Sequence, residues 1–326
     1  MMPHRLKSFL KIKGVLTMST NRFGHLHLMI ATFIWGFTTV SVKLLLEDFE
    51  PIQVLVIRFM IGVFALSVIN HKNIFRFTKV NELYYIFAGL FGICIFFYLY
   101  NAALLYTTAS NVGILSALSP ITTVIIAQLF LREKGINKYF LLGLFVSLVG
   151  VVLFYINGAK LKINPIGDLM VIMANICWGV YSVLLNKIEQ REKDTVFVTR
   201  RIMFYGFIFL VIFMTVLHKD YKWSGLYRVN SWFYILFLSL GASVLSFVLW
   251  NKCIRIVGTT KSSAYGYLGP VISLASSILL LHEKITLLQF LGGALIMSGV
   301  FVSERRKRDV DRVNKEDGEE YECMAS

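Results

Sequence analysis

Ten times along 326 residues the chain runs for about 19 to 23 residues with few charges, over approximately 25–46, 51–70, 83–105, 109–131, 138–157, 167–186, 196–217, 232–254, 259–281 and 285–303. At about 1.5 Å per helical residue, each stretch is long enough to cross a hydrocarbon core of roughly 30 Å. In lipid a backbone must satisfy its own hydrogen bonds, so stretches of this length are expected as helices. With 56% hydrophobic and only 16% charged residues, little chain remains for a water-soluble domain. The expected fold class is an all-α membrane protein of ten transmembrane helices.

The formal charge of +14 has a location that decides its meaning. If the N-terminus is cytoplasmic, 22 Lys and Arg fall on the inner side and 6 on the outer side. That bias places both termini in the cytoplasm and assigns the charge to membrane topology, with no nucleic-acid partner implied. Lys7, Lys11 and Lys13 interrupt the apolar run that precedes the first stretch, which argues against a cleaved signal peptide. Met18 is an alternative start to Met1. The tail opens with ERRKR, turns acidic, and is expected to be disordered.

The chain also repeats itself. At an offset of 143, Gly24 falls on Gly167, Trp35-Gly36 on Trp178-Gly179, and Arg58 on Arg201. At an offset of 150, Tyr84 falls on Tyr234, Asn101 on Asn251, Pro120 on Pro270, and Glu133-Lys134 on Glu283-Lys284. Five helices per copy is an odd number, so the second copy enters the membrane from the opposite side. Residues 1–24 read as a basic cytoplasmic segment, 25–157 and 158–303 as two inverted five-helix repeats, and 304–326 as a charged tail. Inverted repeats are the architecture of secondary transporters, whose substrate sites lie near mid-depth between the halves.

In order, the segments WGFTTVSVKLLL, PIQVLVIRF, NAALLYTTASNVGILSALSP, LREKGINKYFLLGLFVSLVG and LHEKITLLQFLGGALIMSG resemble the EamA-type transporters of the drug/metabolite transporter superfamily. The likeness covers about residues 25–303. One departure is that Arg132 and His282 stand before the helix-end glutamates, where the family commonly has Gly. The resemblance implies a carrier rather than an enzyme, with a small-molecule substrate and the lipid bilayer as partners.

Candidate cavity residues follow from what is expensive or unusual inside a membrane. Arg58 and Arg201 lie well inside their stretches, where an arginine costs roughly 2.5–3.5 kcal/mol on insertion scales and normally faces a cavity or a partner. Snorkelling to headgroups is the alternative, and for Arg200 a headgroup contact is expected. Pro120 and Pro270 fall at the midpoints of the fourth and ninth stretches, freeing the carbonyls of Ser116 and Gly266. A cavity wall with a hinge and a permanent packing kink are both open there. Trp35, Trp178, Tyr181, Trp250, Tyr265 and Tyr267 are candidates for an aromatic lining, or for simple packing. Asn101 and Asn251 read as helix caps. Glu133 and Glu283 read as corner contacts at helix ends.

No Asp or Glu occupies the middle third of any stretch, which disfavours proton-driven transport of lipophilic cations. All six histidines lie in the tail, in loops or at helix ends, and the four cysteines show no CxxC spacing. Neither a metal nor another cofactor is expected. A membrane enzyme acting on lipids would need a cluster of Asp, Glu, His or Ser near an interface, and none is visible. The leading expectation is a carrier of a small polar metabolite, an amino acid or related carboxylate, exported across a bacterial plasma membrane. Xenobiotics or lipid-linked sugars are the alternative cargo, and any coupling ion is left open.

Overall fold

The computed structural model describes residues 24–73, 76, 78, 80–106, 112, 115–116, 118–131, 138–156, 164–217, 221, 223–269, 272 and 286–304, and no strand occurs among them. The helices are α1 (residues 24–36 and, after a turn at Phe37, Thr38–Leu45), α2 (Pro51–Ile69) and α3 (Glu82–Gly89, continued to Phe96–Tyr106). They continue with α4 (Ser119–Leu131), α5 (Lys138–Ile156), α6 (Pro165–Glu189), α7 (Thr195–Val216), α8 (Val229–Val257), α9 (Thr259–Ala264) and α10 (Leu287–Glu304). Five have the length and apolarity to cross a bilayer: α2, α3 over Glu82–Ala103, α6, α7 and α8. The N-terminal segment, the acidic tail, Glu133, Glu283 and Pro270 lie outside the described residues.

Local chemistry explains the starts and stops. Pro51 and Pro165 each open a helix at a position where the missing N–H is no loss. Glu50 and Gln53 form a reciprocal capping box on α2. The side chain of Asn164 accepts from the amides of Ile166 and Gly167 at α6, and Asp194 accepts from Phe197 at α7. Helix α8 stops at Gly258, whose φ of 90° is a conformation that disfavours side chains.

Two irregularities were not expected. α3 carries a π-helical segment over Leu90–Ile95, and α8 carries one over Phe237–Leu245. At the offset of 150 the first falls on 240–245, within the second, so the same distortion recurs in both repeats. The other concerns Pro120, which is not at the middle of a helix. α4 begins at Ser119 after a turn at Leu118, so the proline sits in a first turn, where it costs no hydrogen bond. The loosened backbone is held from outside, because the Leu115 carbonyl accepts from the Leu118 amide at 3.0 Å and from Asn175 Nδ2 of α6 at 2.8 Å.

Much of the packing joins one half of the sequence to the other. α2 packs on α7 and on the π segment of α8, α3 on α6 and α7, α4 on α6 and α9, and α5 on α10. Close approach depends on glycine at α3–α7, where a Cβ on Gly89 would lie 2.7 Å from the Gly206 amide nitrogen. Large apolar side chains such as Phe64, Leu129, Phe145, Phe233 and Phe290 remain exposed. Exposed rings and branched chains on apolar helices form the surface that lipid covers.

Candidate functional site

Aromatic residues from both halves meet at the centre of this packing. The Trp35 ring lies 5.9 Å from Trp178, 5.5 Å from Phe247 and 5.1 Å from Trp250. Trp178 in turn lies 5.1 Å from Tyr181 and 4.9 Å from Phe96. Two contacts join residues that are equivalent in the repeat: Trp35 with Trp178, and Phe97 with Phe247 at 6.1 Å. Trp35 Nε1 donates to the Ala242 carbonyl at 3.0 Å, inside the π segment of α8. A π turn turns backbone groups out of register, which explains why such segments recur at functional sites. Trp250 is 3% exposed, and its Nε1 has no hydrogen-bond partner among the described residues.

Arg58 borders this cluster. It is 4% exposed, and its Nε donates to Ser243 Oγ on the π segment of α8. The guanidinium carbon lies 4.9 Å from the centre of the Phe97 ring and 5.2 Å from that of Phe59. No carboxylate pairs with Arg58 among the described residues. A buried cation supported by one hydroxyl and two ring faces is short of acceptors, and its fork geometry suits a carboxylate.

Arg201 is held differently. Its Nε and one terminal nitrogen each lie 2.6 Å from the two oxygens of Glu82 at the start of α3. Tyr205 donates to the same carboxylate at 2.6 Å, and Arg201 also donates to the Arg76 carbonyl at 3.0 Å. The structure therefore does not bring Arg58 and Arg201 together. Arg200, expected at lipid headgroups, is instead buried and donates to the Asn73 carbonyl at 3.2 Å. The reason is that the Asn73 and Arg76 carbonyls, between α2 and α3, reach that end of α7.

Arg201 belongs to a network that ties the α2–α3 segment to the α6–α7 turn. Arg76 donates to both oxygens of Glu192 at 2.6 Å, and Asn70 and Asn73 both donate to Asp194 at 3.2 Å. At the other end of the bundle, about 28 Å away along the 19 residues of α2, the α1–α2 and α7–α8 connections are joined by Arg228 and Asp48 at 2.9 Å. There Arg228 is 67% exposed, and a groove of about 520 Å³ opens between Leu44, Asp48, Arg228, Ser231 and Tyr234.

The remaining candidates are scattered. Tyr265 is buried, with its hydroxyl 2.6 Å from His25 Nδ1. Ser116 Oγ donates to the Val112 carbonyl, and a Cβ on Gly266 would lie 3.6 Å from Pro120 Cγ. Asn251 is not a cap. It is fully buried, accepts from the Tyr181 hydroxyl at 2.8 Å and donates to Thr199 at 2.9 Å. Asn101 is also buried within α3. Among the described residues no group of three His, Cys, Asp or Glu could hold a metal ion. Ser243, Glu82 and the π segments escaped sequence reading, although Glu82 could have been found as the acid nearest the start of an apolar stretch facing a recurrent arginine.

Comparison with known proteins agrees with this architecture. The profile of the EamA-like transporter family matches residues 22–156 and again residues 165–304. The uncharacterized transporter YyaM of Bacillus subtilis is 28% identical over 69% of this chain and 74% of its own length. YoaV of the same organism, also an uncharacterized transporter, is 26% identical over 85% and 95%. A solved crystal structure superimposes with a TM-score of 0.74 at 17% identity, over 90% of this chain and 99% of its own, a likeness of fold alone.

Proposed function

Because the chain belongs to the EamA-like transporter family, matched by its profile over both halves, we propose that it is a secondary carrier for a small polar metabolite bearing a carboxylate. An amino acid or a related acid, exported across a bacterial plasma membrane, is the cargo class. The observation that carries this reading is Arg58, buried between α2, α3 and α8 with a hydroxyl and two rings for company. Charge interactions strengthen as the effective dielectric falls, so this guanidinium stabilises an anionic group and repels a bare cation. The neighbouring Trp35, Trp178, Tyr181 and Trp250 supply apolar walls for the rest of the cargo.

Alternating access is supported by the pairing of ends. At each end a connection of one repeat is joined by ion pairs to a connection of the other, through Arg76, Glu192 and Asp194 at one and Asp48 and Arg228 at the other. Under inverted symmetry, 25–157 and 158–303 rock about the central aromatic contacts, opening one end as the other closes. The basic bias places the Arg76 end in the cytoplasm with both termini. Single cysteines introduced in a cysteine-free background test this: one at Asn73 is shielded from an impermeant reagent in intact cells, and one at Asp48 reacts. The reversed pattern overturns the orientation.

A second reading, transport of lipophilic xenobiotics, draws on the three tryptophans, whose faces attract organic cations. Counterflow in proteoliposomes with matched amino acids, their decarboxylated amines and ethidium separates the two. Preference for the amines or ethidium overturns the carboxylate reading.

A further inference from the structure

The α6–α7 turn contains a carboxyl group that the carrier reading leaves unused. Glu189, the last residue of α6, is 0% exposed, and its Oε1 has no hydrogen-bond partner among the described residues. Its other oxygen accepts from Thr195 Oγ1 of α7 at 3.0 Å. Arg255 of α8 lies 3.4 Å from that oxygen, but its closer bond, at 2.7 Å, goes to the Lys193 carbonyl. Of the charged groups in the turn itself, Glu192 and Asp194 are engaged by Arg76, and the basic Arg191 and Lys193 are exposed.

A negative charge is poorly placed there. It would sit without water, at a helix C-terminus where the peptide dipoles are already negative, beside two carboxylates, and with one oxygen undonated. Only Thr195 and a diverted, part-exposed Arg255 favour it. The position is also connected to the site. The Thr195 carbonyl accepts from Thr199 Oγ1 at 2.8 Å, Thr199 accepts from Asn251, and Asn251 accepts from the hydroxyl of Tyr181, whose ring lies against Trp178. Buried hydrogen bonds thus run without a break from the start of α7 beside Glu189 to the aromatic cluster.

We propose that Glu189 is a proton-binding site of the carrier, neutral while the Arg76 end is closed and ionised against Arg255 when that end opens. This rests on the alternating-access reading. Each opening releases one proton from the Glu189 carboxyl to water at that face, and each closure takes one back from it. Closing the end is thus favoured by acid on that face and opening by alkali.

Two measurements on the full chain in lipid decide it. Infrared difference spectra across the neutral pH range show, in the parent, the carbonyl band of a buried protonated carboxyl, and E189Q lacks that change. Amino-acid counterflow in the parent quickens severalfold as the pH on the Arg76 face is raised, while E189Q exchanges at a rate that pH leaves flat. Absence of the band in the parent, its persistence in E189Q, or parallel pH profiles for parent and variant overturns the proposal. If the parent exchanges no carboxylate at all, the cargo reading falls, and the infrared comparison still decides whether Glu189 holds the proton.

Discussion

Arg58 and Arg201 are one residue written twice, 143 positions apart, and they meet opposite fates. Arg58 turns inward to Ser243 and two phenylalanine faces, whereas Arg201 turns outward to Glu82, Tyr205 and the Arg76 carbonyl. The reason lies in the residues that face them. At the offset of 150, Ser243 is matched by Ile93, which offers Arg201 no acceptor, and Glu82 is matched by Trp232, which offers Arg58 no carboxylate. Ile93 packs instead against Gly206. A repeat preserves where a helix lies, while the acceptors around it decide where a long charged side chain goes. One arginine is thereby paired with a carboxylate at an end of the bundle, and the other has no carboxylate partner among the described residues.

The largest expected effect breaks that contrast directly. Arg58→Gln removes the cation that has no carboxylate partner among the described residues, and charge-assisted hydrogen bonds contribute about 1.5–3 kcal/mol, about 10- to 150-fold in affinity for carboxylate cargo. Arg201→Gln leaves cargo affinity nearly unchanged and instead alters the balance between the two ends. Counterflow at varied cargo concentration measures both, and equal losses of affinity would return Arg201 to the cavity.

Ser243→Ala tests whether the hydroxyl positions the guanidinium. One hydrogen bond contributes about 1 kcal/mol net, so affinity falls about fivefold with abundance maintained. Ile93→Ser is the reciprocal change, and it leaves affinity unaltered as long as Glu82 holds Arg201.

Smaller effects separate the two ends. Glu192 is nearly buried while Arg76 is 38% exposed, so solvent screening reduces the value of the pair. In inside-out vesicles, where the reagent reaches the Arg76 end, Glu192→Gln therefore increases labelling of a cysteine at Asn73 by about threefold, an effect of about 0.7 kcal/mol. Asp48→Asn breaks a pair whose arginine is 67% exposed, and labelling at that end changes by no more than about twofold. A larger response at Asp48 than at Glu192 would reverse the assignment of the tighter end.

Apolarity and period make several features legible in the residues alone. The apolar lengths of α2, α3, α6, α7 and α8, the doubling of the chain, and the recurrence of Trp35 at Trp178 all come from residue spacing. Asn251 shows where spacing misleads. Near the end of an apolar stretch it reads as a cap, yet it lies between Tyr181 and Thr199 because α6, α7 and α8 converge there. Pro120 shows the same limit. Its ring removes one rung of a helix, but that the chain restarts at Ser119, with Asn175 reaching across to the Leu115 carbonyl, appears only in the fold.

By itself the sequence determined the membrane as solvent, the helical class and the two-copy plan. The first two follow from the cost of unpaired backbone in lipid, which is a property of composition and length. The plan follows from the residues that recur at a constant offset. Tertiary structure alone decided which arginine meets a carboxylate among the described residues, where the two π segments break register, and that Glu189 is sealed from water. Each of these depends on which acceptors and walls other helices bring within about 3 Å, and hydrogen bonds and desolvation act over that distance and no further along the chain.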